Sequence, residues 1–303
     1  MNSMKGKIAM LGQHCLSVGS SLLLVSLLVL TPQASQLQAQ LFVEGVINTA
    51  ADEYGPAFSP DKKTMYFTRR VSRKGPEYIY VSQFENGRWS RPEIAPFSGK
   101  HFDKEPFVSP DGSKLFFASL RPVGEVEKKD PRDFDIWVVT KIAGGWSDPT
   151  PLPAPVNSTG YDNYPSVAAN GNLYFASVRG GGRGQNDLYR AQLIDGKYSQ
   201  VEKLPDIINT PGTDADPYIA PDERFLIFCS DRPGGFGEGD LYISLNRGGV
   251  WTEPRNLGAS INTGEFEYTP LLSPDGKYLF FSRGWGEIYR IESRALDLKS
   301  ESK

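Results

Sequence analysis

The 303-residue sequence is poor in the side chains that usually carry metal and redox chemistry. It has two cysteines, Cys15 and Cys229, and two histidines, His14 and His101. None of these stand at zinc-ligand spacing, and two distant cysteines build no disulfide framework. Charge of one sign is missing too. The 33 basic and 36 acidic residues give a formal charge of −3, and the basic ones do not cluster, which excludes an electrostatic nucleic-acid binder. No phosphate-binding P-loop and no dinucleotide fingerprint occurs. Long apolar runs are absent as well. The main one, Leu22 to Leu30, is well short of the ~20 residues that a membrane-spanning helix needs.

That run nevertheless sets the first forty residues apart. Lys5 and Lys7 precede it, Thr31-Pro32 ends it, and small residues follow at Ala34 and Ala39. The pattern reads as a secretory signal peptide over residues 1–39, cut after Ala39, with a single membrane anchor as the alternative. Cys15 lies before the apolar run, whereas a lipid-bearing cysteine would follow it. The expected location is therefore periplasmic or secreted. Cleavage would leave 31 basic and 36 acidic residues and one thiol, Cys229. That thiol sits in the apolar stretch FLIFCS, where a buried, inert cysteine is expected.

Glycine (31) and proline (23) are plentiful, and aromatics make up 12%, a mixture that favours short strands and tight turns. One phrase recurs five times, anchored on Pro56, Pro106, Pro165, Pro217 and Pro270, at steps of 50, 59, 52 and 53 residues. Self-similarity at this period marks a propeller or a solenoid. Each anchor proline opens a strand that ends in a turn such as Ser109-Pro110-Asp111-Gly112 or Ser273-Pro274-Asp275-Gly276. Proline presets the second turn position, and Asp and Gly suit the next two. An aromatic strand follows (TMYFT, LFFAS, LYFAS, LIFCS, LFFS), then a third (YIYVS, DIWVV, DLYRA, DLYIS, EIYRI). A fourth is marked by Trp89, Trp146, Tyr198 and Trp251. Four strands of this length fit one propeller blade. The fifth repeat lacks its fourth strand, and Phe42-Val43-Glu44-Gly45 is the candidate to supply it and close the ring. The expected fold is all-β: a five-bladed propeller of four-stranded antiparallel blades over residues 40–291, followed by a polar tail, 292–303. No heptads or long apolar patch suggest self-association, so a monomer is expected.

The SPDG turns and the DIY and DLY strands resemble the TolB-like family of WD-like propeller repeats in exported bacterial proteins. The resemblance covers about residues 41–291 and implies the fold far more strongly than any activity. The repeat count departs from the six blades of TolB itself.

Three positions recur in every repeat. Three residues before the anchor stands an acid, Glu53, Asp103, Asp162, Asp214 or Glu267. Eight before it stands Asn48, Asn157, Asn209 or Asn262, with Ser98 in the second repeat. After the second strand comes Arg70, Arg121, Arg179, Arg232 or Arg283. All should gather on one face around the channel. Acid and arginine there can lock the blades together, because a guanidinium forks onto a carboxylate. Alternatively, the acidic ring forms a site for Ca²⁺ or a polyhydroxylated ligand. A further acid heads the third strand at Asp135, Asp187, Asp240 and Glu287. It follows the glycine-rich loops 179–187 and 232–240, which read as turn chemistry. Residues that do not repeat are the better guide to activity: His101, Trp285, Tyr161, Tyr164, Arg69, Arg73, Lys74, and the long loop from Arg121 to Phe134. No nucleophile motif accompanies them. The expectation is a non-catalytic binding propeller for a protein or an envelope glycan. The alternative is a glycosidase with two carboxylates at the channel mouth, about 5–5.5 Å or 6.5–9.5 Å apart.

Overall fold

The structure is a computed structural model that describes residues 37–124, 133–180 and 185–298. The expected signal segment lies almost wholly outside these residues, as does most of the Arg121–Phe134 loop. Five antiparallel sheets follow one another along the chain. In each, the strand that carries the anchor proline is innermost: Asp52–Phe58, Asp103–Val108, Asp162–Val167, Asp214–Ile219 and Glu267–Leu272. The SPDG-type turn returns the chain into the aromatic second strand, as Thr64–Arg70 does in the first blade. The third strand pairs outside it, as Glu77–Glu85 does. In blades one, two and four the outermost strand is split into two short pieces, for example Val250–Trp251 and Arg255–Asn256. Only blade three runs it unbroken, over Lys197–Lys203.

The fifth blade is closed by the N-terminal segment. The closing strand is Gln40–Leu41, slightly earlier than Phe42–Gly45, and it pairs Gln40 with Arg290 and Leu41 with Tyr289. Phe42 extends the pairing by donating its N–H to the Ile288 carbonyl at 2.8 Å. Val43 then enters the left-handed region at φ 46° and ends the strand, which is why it begins and stops early. Closure pairs an edge that would otherwise be open to aggregation. The phenyl ring of Phe42 packs against Phe280, Phe58 and Trp89, joining the last blade to the first. After the third strand of blade five, a 3-10 turn at Ser293–Leu296 folds back and buries Leu296 completely.

The core lies between the blades. Phe67, Phe117, Phe175, Phe228 and Phe281 occupy one equivalent position in the five second strands, and all are fully buried. Truncating such a ring to alanine costs about 3–5 kcal/mol, because packed surroundings collapse only partly. Cys229 is buried and free, and burial pushes its thiol pKa well up, as expected of an inert thiol.

Candidate functional site

The repeated acids form a ring beneath the face where the inner strands begin. All five are fully buried. Each carboxylate takes a guanidinium from the end of the second strand of its own blade or from just beyond it. It also takes a hydroxyl from the linker just before it: Thr49, Ser98, Ser158, Thr210 or Thr263. The arginine in turn donates to carbonyls of that linker, as Arg232 does to Ile208 and Arg283 to Ile261 at 2.8 Å. Every one of these arginines also rests between two rings, such as Phe281 and Tyr289 at 5.5 and 4.4 Å for Arg283. Carboxylate, guanidinium and rings therefore fasten the connection from the preceding blade onto the next.

In the first blade the partner of Glu53 is Arg69, at 2.8 Å, and not Arg70. Arg69 lies over Phe67 and Tyr80, as its counterparts lie over their rings. Arg70 instead pairs with Asp52 and Glu77 near the surface. The reason is side-chain length. Where the acid is Asp, a serine stands opposite it (Ser119, Ser177, Ser230) and the arginine comes two residues later. Where the acid is Glu, the extra methylene moves the carboxylate, and the arginine directly opposite, Arg69 or Arg283, reaches it with Nε.

The repeated asparagines clamp neighbouring blades. Asn209 accepts from Leu188 N–H at 2.7 Å and donates to the carbonyls of Leu188 and Leu204 at 3.0 and 2.9 Å. Asn48, Asn157 and Asn262 do the same to the third strand of the blade before them. Ser98 fills this place in the second repeat, accepting from Ile79 N–H and donating to Asp103. With their oxygens taken by these donors, the ring acids offer Ca²⁺ no free ligand set. Among the described residues no three His, Cys, Asp or Glu are grouped to hold a metal. Asp240 accepts from the amides of Phe236 and Gly237, so its glycine-rich loop is held as a turn.

The channel inside this ring has three levels, each lined by all five blades. At the turn end is an apolar opening of ≈ 200 Å³, which includes Phe58, Tyr218, Leu271 and the turn prolines. The waist, between the anchor prolines, is only ≈ 40 Å³. It has room for little more than a water or two. At the acid–arginine end it widens to a pocket of ≈ 430 Å³. The walls of this pocket are aromatic, with Tyr54, Tyr164, Tyr268, Phe266 and Trp285, and its charged groups are Arg70, Glu77, Lys104, Glu105, Glu238 and Glu265.

The residue just before each anchor proline lines the waist: Gly55, Glu105, Tyr164, Asp216 or Thr269. All five have positive φ, from 46° to 61°, at a bulge in the inner strand. Only Gly55 adopts this without strain; an L side chain there costs about 1 kcal/mol. Glu105 is buried beside Lys104, 2.9 Å away, and receives Tyr164 N–H at 3.3 Å. Burial lifts its pKa to about 7 even so. Burial opposes charge on Lys104, but the Glu105 and Glu77 carboxylates hold its ammonium above the usual lysine value. Asp216 is buried with a single hydrogen bond, from Thr269 N–H at 3.3 Å. Its pKa is pushed well up by burial and then by the Glu105 charge.

Solved structures share this architecture. TolB of Acinetobacter baumannii matches with a TM-score of 0.51 at 18% identity, over 80% of this chain and 55% of TolB. The chain thus spans about half the length of that protein. An α-L-arabinofuranosidase from Lactobacillus brevis gives 0.53 at 10% identity, over 81% of this chain and 92% of that one. A GH43 endo-arabinanase from Bacillus licheniformis gives 0.52 at 12% identity, over 82% and 96%. The shared fold is the β-propeller. No protein-family model and no curated protein matches the sequence. Identities this low carry the fold alone, and a fold by itself does not fix an activity.

Of the unrepeated residues singled out from the sequence, the propeller brings Tyr164 and Trp285 to the pocket wall. Tyr161 instead stacks on Phe134, and half-buried His101 lies in the linker before Asp103 and is not among the lining residues. Lys104, Glu105 and Asp216 were not foreseen. For Glu105 and Asp216 the signal was present, because the position before the anchor proline carries a different residue in each repeat.

Proposed function

We propose that the protein is an exported binding propeller that holds part of an envelope glycan in the pocket at the acid–arginine end of its channel. One observation carries this reading: the repeated acids and arginines are consumed by the fold, while unrepeated aromatic and charged residues converge on one cavity. A volume of ≈ 430 Å³ is in the ordinary range for small-ligand sites, about 300–1,000 Å³. Aromatic faces suit sugar rings, and charged side chains make strong hydrogen bonds to hydroxyls. The closed waist keeps a ligand in the mouth. Export rests on the signal-like segment 1–39; among the described residues no helix is long and apolar enough to cross a membrane.

A glycan-binding screen on the purified protein tests the proposal. Replacing Trp285 or Tyr268 by Ala is expected to weaken any hit about three- to tenfold, the worth of one aromatic contact. Binding that survives both replacements together would place the ligand elsewhere and overturn the proposal.

A glycosidase is the second reading, favoured by Glu105 and Asp216. These two carboxyls have unlike surroundings, one in an ion pair with Lys104 and one held by a single backbone N–H, as an acid–base pair requires. Against it, Asp216 lines the narrow waist and not the pocket. Hydrolysis of a bound glycan that is abolished in both Glu105→Gln and Asp216→Asn would make this the better reading.

A further inference from the structure

The pocket is lined by more carboxyl groups than cations. Four glutamates line it, Glu77, Glu105, Glu238 and Glu265, against two cations, Arg70 and Lys104. Both cations are already engaged, Lys104 with Glu105 at 2.9 Å and Arg70 with Asp52 and Glu77 at 2.8 and 3.2 Å. Glu238 and Glu265 stand exposed at the rim, and neither makes an ion pair with any described residue. Beneath them Asp216 is a buried carboxyl with one backbone hydrogen bond and no direct ion pair among the described residues. The walls between are aromatic, and they already carry cations of the protein itself. The Arg73 guanidinium lies over the Trp285 ring, 5.3 Å from its centre, and the Lys104 ammonium is 5.3 Å from the centre of Tyr164. Trp285 is 72% exposed, so its ring is open to an incoming group as well.

Carboxylates with no partner of their own, set among ring faces that attract cations, favour a ligand that brings positive charge. We infer that the pocket selects a sugar carrying a free, protonated amine, such as a glucosamine unit, over neutral and acidic sugars. The inference rests on the glycan-binding reading. The sugar ring packs on Tyr268 and Trp285, and its ammonium lies between the Trp285 face and the carboxylates of Glu238 and Glu265. Arg73 competes for the same ring and holds the affinity down.

Calorimetric titration with a glucosamine trisaccharide and with its fully N-acetylated counterpart tests this. The two differ in charge while the sugar rings are the same. The amine form is expected to bind about tenfold tighter, the sum of one cation–π contact and two rim carboxylates. Glu238→Gln and Glu265→Gln should each reduce that preference about two- to fivefold, the amine form losing more than the acetylated one. Arg73→Gln should tighten the amine form about twofold. The preference should also shrink as salt is raised. Equal binding of the two trisaccharides would overturn the charge selection and leave the glycan-binding reading standing. No binding of either, while a neutral glycan binds, has the same consequence. Failure of every glycan, together with capture of a trilysine peptide, would overturn both readings in favour of a basic protein segment.

Discussion

The acid ring and the pocket above it are built on the same five inner strands, yet they treat charge in opposite ways. In the ring every carboxylate has its own guanidinium, hydroxyl and, in four blades, a linker amide. In the pocket and waist, carboxylates outnumber cations, and Asp216 has one backbone donor. The ring repeats because five similar interfaces need five similar fasteners. The residues before the anchor prolines differ although all five share one backbone conformation. Four of them keep a side chain at a left-handed position where glycine would be free of strain. Satisfied, repeated polar groups belong to the fold; costly, unrepeated ones point to the ligand.

The largest expected effect tests the ring. Asp214→Ala leaves the largely buried Arg232 without its carboxylate and should cost about 3 kcal/mol in urea unfolding. A loss under ~1 kcal/mol would show that the ring is not structural. Almost as large is the contrast within the first blade. Arg69→Ala strips a fully buried glutamate and should cost about 3 kcal/mol, whereas Arg70→Ala breaks partly exposed pairs worth about 0–1 kcal/mol. Equal losses would remove the distinction drawn between these two residues. Asn209→Ala deletes three buried hydrogen bonds and should cost about 2–3 kcal/mol, read by the same unfolding curves.

The pocket should respond with the opposite sign. Glu105 holds its proton to about pH 7 in the folded chain, while an unfolded glutamate loses it near pH 4.3. The unfolded state is therefore the first to gain from ionisation, and this group withdraws stability as pH rises from about 4.3 to 7. The melting temperature should fall by a few degrees across that window, and Glu105→Gln should flatten the slope. The smallest effect is a gain. Asp216→Asn keeps a residue tolerant of positive φ and removes a buried carboxyl held by one backbone hydrogen bond, so at pH 7 it should stabilise by about 1 kcal/mol. A destabilised Asp216→Asn protein would put this residue with the framework and erase the contrast.

Much of this was legible in the chain. The turn prolines, the alternating strands and the asparagine eight residues before each anchor gave blade boundaries and the ring closure, because these features act locally and recur. The blade-one arginine was not legible. Arg69 and Arg70 are adjacent, and only the register opposite Glu53 decides which faces it. The channel group was obscured for another reason. Glu105 and Asp216 lie in different repeats, and each alone looks like an ordinary strand residue. Their convergence depends on a bulge that turns one residue per blade toward the axis.

By itself, the sequence determined a closed all-β propeller of five blades, with one polar phrase repeated on one face. Local turn chemistry and strand periodicity are enough for that, since each blade is specified by its own fifty residues. Only the tertiary structure decided which charges are spent on the fold and which remain for a ligand. That division depends on burial and on partners brought together around the ring, and neither is a property of any single repeat.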